Sequence, residues 1–162
     1  MANPIRFKKG TKTNLPTLAQ GEPGYCTDSD EMFVGDGAVN HPTNLHYIEY
    51  RIIDSDTDHE VASSIQGDLR IPQAMTILAV GAYIDTAGAG SVTTIDILES
   101  GTTILSTKIT IDAGEKTSET AEAAPVVSDS AIAADAILTF DITGIASGTA
   151  GKGLVVWLRV VF

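Results

Sequence analysis

The sequence predicts an all-β protein: an antiparallel, jelly-roll-like β-sandwich preceded by a small β element. Three observations carry this. Ile, Val, Leu and Ala dominate the apolar residues and are interleaved with Thr and Ser, a composition that suits pleated, half-buried surfaces. Apolar runs of strand length recur at short intervals from Pro72 onward. Fifteen glycines punctuate 162 residues, and very little of the chain has the period of an amphipathic helix.

The sequence reads as three stretches: a small module over 1–45, a strand and acidic junction over 46–70, and the sandwich over 71–162. The first 45 residues hold three prolines before Tyr25 and too few large apolar residues for an independent core. A unit of that kind usually needs a staple, a metal or a partner chain. Cys26 is the single cysteine, so no intrachain disulfide can form, and no zinc-ligand spacing is present. A partner chain is the remaining device, which implies oligomerisation.

Within the module, LAQGEPGYCTDSDEMFVGDG (18–37) reads as β punctuation. Gly21 and Gly24 flank Glu22-Pro23, where proline presets φ and glycine accepts positive φ. YCT is a short strand, TDSD a turn whose Asp side chains bond nearby backbone N–H groups, MFV the returning strand, and GDG a tight corner. The two strands present Tyr25, Met32 and either Val34 or Phe33 to a partner.

Downstream, HYIEYRII (46–53) alternates as a strand and DSDTDHE (54–60) begins the acidic junction. Strands are then expected at 74–84, 91–98, 102–111, 137–142 and 153–162, with short ones near 61–66 and 124–127. ESG (99–101) between two Thr/Ile-rich runs is a hairpin signal. SDSAIAADA (128–136) allows one helical turn with Ser128 as N-cap. Leu105, Thr107, Ile109 and Ile111 fall on one face of their strand, and Leu154, Val156, Leu158 and Val160 on one face of the last.

The formal net charge is −11, unevenly spread. Arg6, Lys8, Lys9 and Lys12 make a basic tip, whereas all 21 acids lie beyond it with the other six bases. An acidic body repels phosphate backbones, so nucleic acid is excluded as a partner. The tip suits docking on an acidic protein surface, or serves as the charged edge of a strand that resists unwanted pairing. No apolar run reaches the length of a membrane helix and no secretory signal is visible, so synthesis in a cytoplasm without membrane insertion is expected.

No cofactor, metal site or catalytic group is expected. Asp54, Asp56 and Asp58 mimic the opening of a calcium loop, but His59 and Ile65 stand where Gly and Glu are needed. His41, His46 and His59 lack metal spacing and read as surface or interface residues. Asp112, Glu115 and Asp141 are the acids from which a glycosidase pair would be drawn, in a chain where such pairs arise by chance. No nucleophile elbow or phosphate loop is present. Trp157 shares a strand face with Val155 and Arg159; it reads as core or subunit interface, or, if that face is outward, as a stacking platform for a glycan.

One resemblance is specific. Arg6-x-Lys8-x-Gly10, then L-x-x-G-E-P-G-Y-x-T-D, then F-V-G-D-G resembles the N-terminal module of bacteriophage fibre and receptor-binding proteins of the major tropism determinant and tail-fibre type. The carriers are Arg6, Gly10, Leu18, Gly21, Glu22, Gly24, Tyr25, Thr27, Asp28, Val34, Gly35, Asp36 and Gly37, over about residues 5–40. The C-terminal half more weakly resembles β-sandwich domains of phage structural proteins. The resemblance implies an intertwined β-prism in a homotrimer, with these residues as the trimerisation and attachment module. It further implies a non-enzymatic protein on the virion surface whose partners are itself and phage capsid or tail proteins. The short chain favours a capsid decoration protein or short head fibre. The alternative is a tail fibre or spike that recognises host surface glycans.

Overall fold

The structure, a computed structural model, describes residues 7–28 and 31–162. It is all-β, with no α-helix among the described residues, and it divides into two compact units, Met1–Leu45 and His46–Phe162.

The first unit is one four-stranded sheet in sequential order: β1 (Lys8–Gly10), β2 (Pro23–Cys26), β3 (Met32–Gly35) and β4 (Asn40–Pro42). β1 runs parallel to β2, and the other pairs are antiparallel. Its core is minimal: Leu18, Cys26 and Phe33, with Leu15 packed against them. Directly opposed residues share a sheet face. Tyr25 and Met32 therefore stand together on the other face, as do Val34 and His41. Of the two residues expected to face a partner, Val34 points outward and Phe33 inward.

The second unit begins with β5 (Leu45–Asp58), followed by β6 (Leu69–Arg70), β7 (Met75–Tyr83), β8 (Thr93–Glu99), β9 (Thr102–Thr103), β10 (Leu105–Thr107), β11 (Ile109–Ile111), β12 (Val126–Val127), β13 (Ala131–Ile132), β14 (Ile137–Gly144) and β15 (Lys152–Val161). One sheet has the order β11-β8-β14-β6, with β9 on β8; the other is β13-β7-β15-β5. The two enclose a single core. Ile95, Ile97, Leu138, Phe140 and Ile142 from the first sheet pack with Ile77, Ala82, Leu154, Val156, Leu158 and Val160 from the second. The four residues expected on the core face of the last strand are all fully buried, although Val155 on the other face is covered as well. The ESG hairpin also forms: Ser100 and Gly101 both take positive φ between paired Glu99 and Thr102, as a tight two-residue turn requires.

Three expectations are corrected. The run 54–58 is not a loop but the end of β5, which closes one edge of its sheet. Its exposed acids decorate an edge strand, where charge discourages further pairing, and Asp58 is bridged to Lys152 at 3.3 Å. The 128–136 stretch makes no helical turn. Ala131 and Ile132 pair with Thr76 and Met75, and burying Ile132 in the core outweighs a one-turn helix. The 102–111 run is three strands. β9 pairs with β8, β10 bulges away to pair with β12, and β11 returns to β8. Leu105, Ile109 and Ile111 still reach the core, so the face prediction survives the break. A 3-10 turn at Ser118–Thr120, capped by the Thr117 hydroxyl, had no clear sequence signal.

Candidate functional site

The motif residues gather in the first unit, where most serve to hold one turn against the sheet. Leu18, on the segment between β1 and β2, is fully buried over Gly24 and Gly35. A Cβ on Gly24 would stand 2.9 Å from Leu18 Cδ1, and one on Gly35 would overlap the Leu18 backbone itself. The Gly35 carbonyl accepts from Gly21 N–H at 2.8 Å, and Gly35 N–H donates to Glu22 O at 3.0 Å. Gly21 and Gly37 both take positive φ, as the two corners demand.

The acids of the motif close these turns. Glu22 accepts Ala19 N–H at 2.8 Å and pairs with Lys8 at 2.8 Å. The Lys8 hydrogen bond, reinforced by the Ala19 amide, lowers its pKa. Asp36 accepts the amides of Ala38 and Val39 and meets His41 Nε2 at 2.8 Å. The bond to His41, with those two amides, holds its carboxyl well below the usual carboxylate range. Asp28 accepts Lys12 N–H at 2.9 Å, and Thr27 N–H donates to Gly10 O at 2.9 Å, which ties β2 back to the end of β1.

Arg6 lies outside the described residues. The rest of the basic tip is partly spoken for within the unit, because Lys8 pairs with Glu22 and Lys12 with buried Glu31 at 2.9 Å. Lys9 remains exposed and forms no ion pair among the described residues. Glu31 and Asn40 were not singled out in the sequence. Asn40 accepts Leu18 N–H at 2.9 Å and donates to Pro16 O at 3.0 Å, clamping the buried turn. An Asn three residues past G-D-G is the only hint the sequence offered.

The opposite face of the sheet is the more exposed one. Met32 and Val34 are 38% and 37% exposed beside half-buried Tyr25, on a sheet only four short strands wide.

In the second unit, Trp157 lies on the outer face of its sheet, directly opposite Gly81. The indole covers that glycine so closely that a Cβ there would fall 2.8 Å from Nε1 and nearer still to the ring carbons. Tyr47 of β5, 64% exposed, tilts toward it with ring centroids 6.1 Å apart. The sequence marked Trp157 and noted Arg159 on its face, but it gave no sign that Tyr47, Glu49, Tyr83 and Glu119 converge there.

The other weighed groups are structural. In an extended strand, side chains of Asp54, Asp56 and Asp58 are spaced about 7 Å apart, too wide to share an ion whose ligands sit about 2.3–2.6 Å away. His59 is not a surface residue: it is 1% exposed, with Nε2 2.8 Å from Gly153 O and its ring against Gly151. Gly151 leaves the room for it, since a Cβ there would stand 3.0 Å from the ring. His41 and His46 are exposed. Asp112 accepts Glu122 N–H at 3.0 Å, Glu115 accepts from the Thr120 hydroxyl, and Asp141 accepts Ser64 N–H at 2.8 Å. No helix among the described residues is long and apolar enough to cross a membrane.

Residues 5–39 match the family model described as the major tropism determinant N-terminal domain. The match supports a phage tropism or fibre module over this stretch. The matched family is structural or receptor-binding rather than enzymatic, and the match suggests a phage tropism-related, virion-associated structural protein. No curated protein matches the chain.

Proposed function

We propose that the chain is a homotrimeric phage virion protein, with the first unit as its trimerisation and attachment module and the second unit displayed on the particle surface. The observation that carries this is the first unit's imbalance. Three buried side chains and Leu15 make its core, while Met32 and Val34 stand exposed on the opposite face of the sheet. Three such sheets packed face to face as a prism remove that surface from water, at about 25 cal/mol per Å² of apolar area. The family match at 5–39 supports the same reading. Lys9, together with Arg6, supplies the positive charge for docking on an acidic capsid or tail protein; Lys8 and Lys12 serve the unit's own fold.

A decoration protein or short head fibre is the first reading of that role. A tail fibre or spike is the second reading, favoured by the aromatic groove at Trp157. Light scattering on the full-length protein tests the trimer: a mass of three chains is expected, falling to one chain in a Met32→Asp/Val34→Asp variant. A full-length monomer at high concentration overturns it. Purified protein that binds emptied capsids in saturable ratio supports decoration; binding to host cells in competition with infection supports the spike.

A further inference from the structure

We propose that the outer face of the β7-β15-β5 sheet binds a neutral oligosaccharide, with the Trp157 indole as its stacking platform and Arg159, Glu49 and Glu119 as its hydroxyl-binding groups. This rests on the second unit being the displayed part of the protein.

The site is a concavity of about 370 Å³ bounded by Tyr47, Glu49, Tyr83, Glu119, Trp157 and Arg159. That volume suits a small ligand. A second concavity of about 500 Å³ adjoins it and shares Trp157 and Glu119, continuing past Ala79 toward Pro125 and Val126. Together they form a track longer than one sugar ring with the indole in the middle. The platform is preset. Trp157 is seated on Gly81, where any larger residue would lift it, and Tyr47 leans on its edge. An aromatic ring fixed in this way buries the apolar C–H face of a pyranose without further loss of side-chain freedom.

Polar groups around the ring are unspent. Arg159 Nε is buried without a hydrogen-bond partner, and neither Arg159, Glu49 nor Glu119 forms an ion pair among the described residues. The guanidinium of Arg159 lines the concavity without an internal partner, so a ligand seated there can supply the acceptors it lacks. Hydroxyl groups both donate and accept; one sugar can take a donor from Arg159 and give donors to the two carboxylates.

The charge pattern selects among occupants. Two carboxylates against one guanidinium, on a chain of net charge −11, repel phosphates, anionic lipids and acidic sugars. A second copy of the chain fits poorly as well, because packing against this face would desolvate three unpaired charges. A neutral polyhydroxyl ligand meets both demands.

The test is titration of the full-length protein with neutral hexasaccharides of glucose, galactose and N-acetylglucosamine, and with an oligogalacturonate of similar length. Trp157 is the only tryptophan, so its emission reports directly on the site. The expected result is a saturable emission change with at least one neutral hexasaccharide and none with oligogalacturonate. By calorimetry, Tyr47→Ala and Glu119→Gln, both at exposed positions, should each weaken that binding about tenfold; Trp157→Ala should abolish it. The proposal is overturned if no neutral hexasaccharide binds at about 10 mM, if only the anionic one binds, or if Tyr47→Ala and Glu119→Gln leave binding unchanged. Loss of the oligomer in Trp157→Ala, without any saccharide binding, would instead assign the face to an interface between copies. A monomer that still binds the sugar would sink the trimer and leave this site standing.

Discussion

Leu18 is fully buried directly over Gly35, and no side chain at 35 can coexist with the Leu18 backbone. This one contact explains why the motif pairs a leucine with a glycine seventeen residues later: the first needs a bare patch of sheet on which to bury itself. Gly35→Ala is expected to cost about 1–3 kcal/mol through overpacking. Calorimetric melting should show the first unit losing stability and the oligomer weakening, with the second unit's transition unmoved.

Acid should loosen the first unit. Glu22 and Asp36 both have lowered pKa values, through Lys8 and His41 respectively. Their stabilising contribution is therefore present above the ordinary carboxylate pKa and is lost as pH falls through the lowered values. Thermal melts from pH 7 downward should show the first unit weakening only below the normal carboxylate range. Glu22→Gln and Asp36→Asn should lower its stability at pH 7 and flatten that acid dependence; an unchanged pH profile in both would contradict these roles.

The buried faces of the second unit set a different scale. Leu158 is fully buried between the two sheets, and Leu158→Ala should cost about 2–5 kcal/mol, read by urea unfolding. Oligomer mass should persist wherever the variant remains folded, because the proposed trimer contacts lie in the first unit.

The hairpin at Ser100-Gly101 offers a stabilising change. Both residues already hold positive φ, at 50° and 83°. Ser100→Asn creates the Asn-Gly pair that such a turn favours, and should raise stability by about 0.5 kcal/mol or more in the same urea assay. A loss of stability would mean that Ser100 has another role in the turn.

Local rules made much of this molecule legible from its residues alone. The glycine corners at 21, 37 and 101, the alternating core face of β15 and the all-β class follow from backbone sterics and a two-residue side-chain period, which act within a few positions. So does the poverty of the first unit's core, a matter of counting large apolar residues.

Only the tertiary structure decided the rest, because it depends on partners far apart in the chain. The acidic run at 54–58 is strand because β15 accepts it at the sheet edge, and Ile132 is strand because β7 and the core receive it. His59 is buried because Gly151, more than ninety residues away, leaves space for its ring and the Gly153 carbonyl meets its Nε2. Lys8 and Lys12 remain exposed but gain carboxylate partners when the fold brings Glu22 and Glu31 beside them. Tyr47, Glu119 and Arg159 meet around Trp157 only because β5, β15 and the distant 3-10 turn at 118–120 come together there. Composition and spacing specify what each segment can become; long-range pairing and burial select which of those forms is realised.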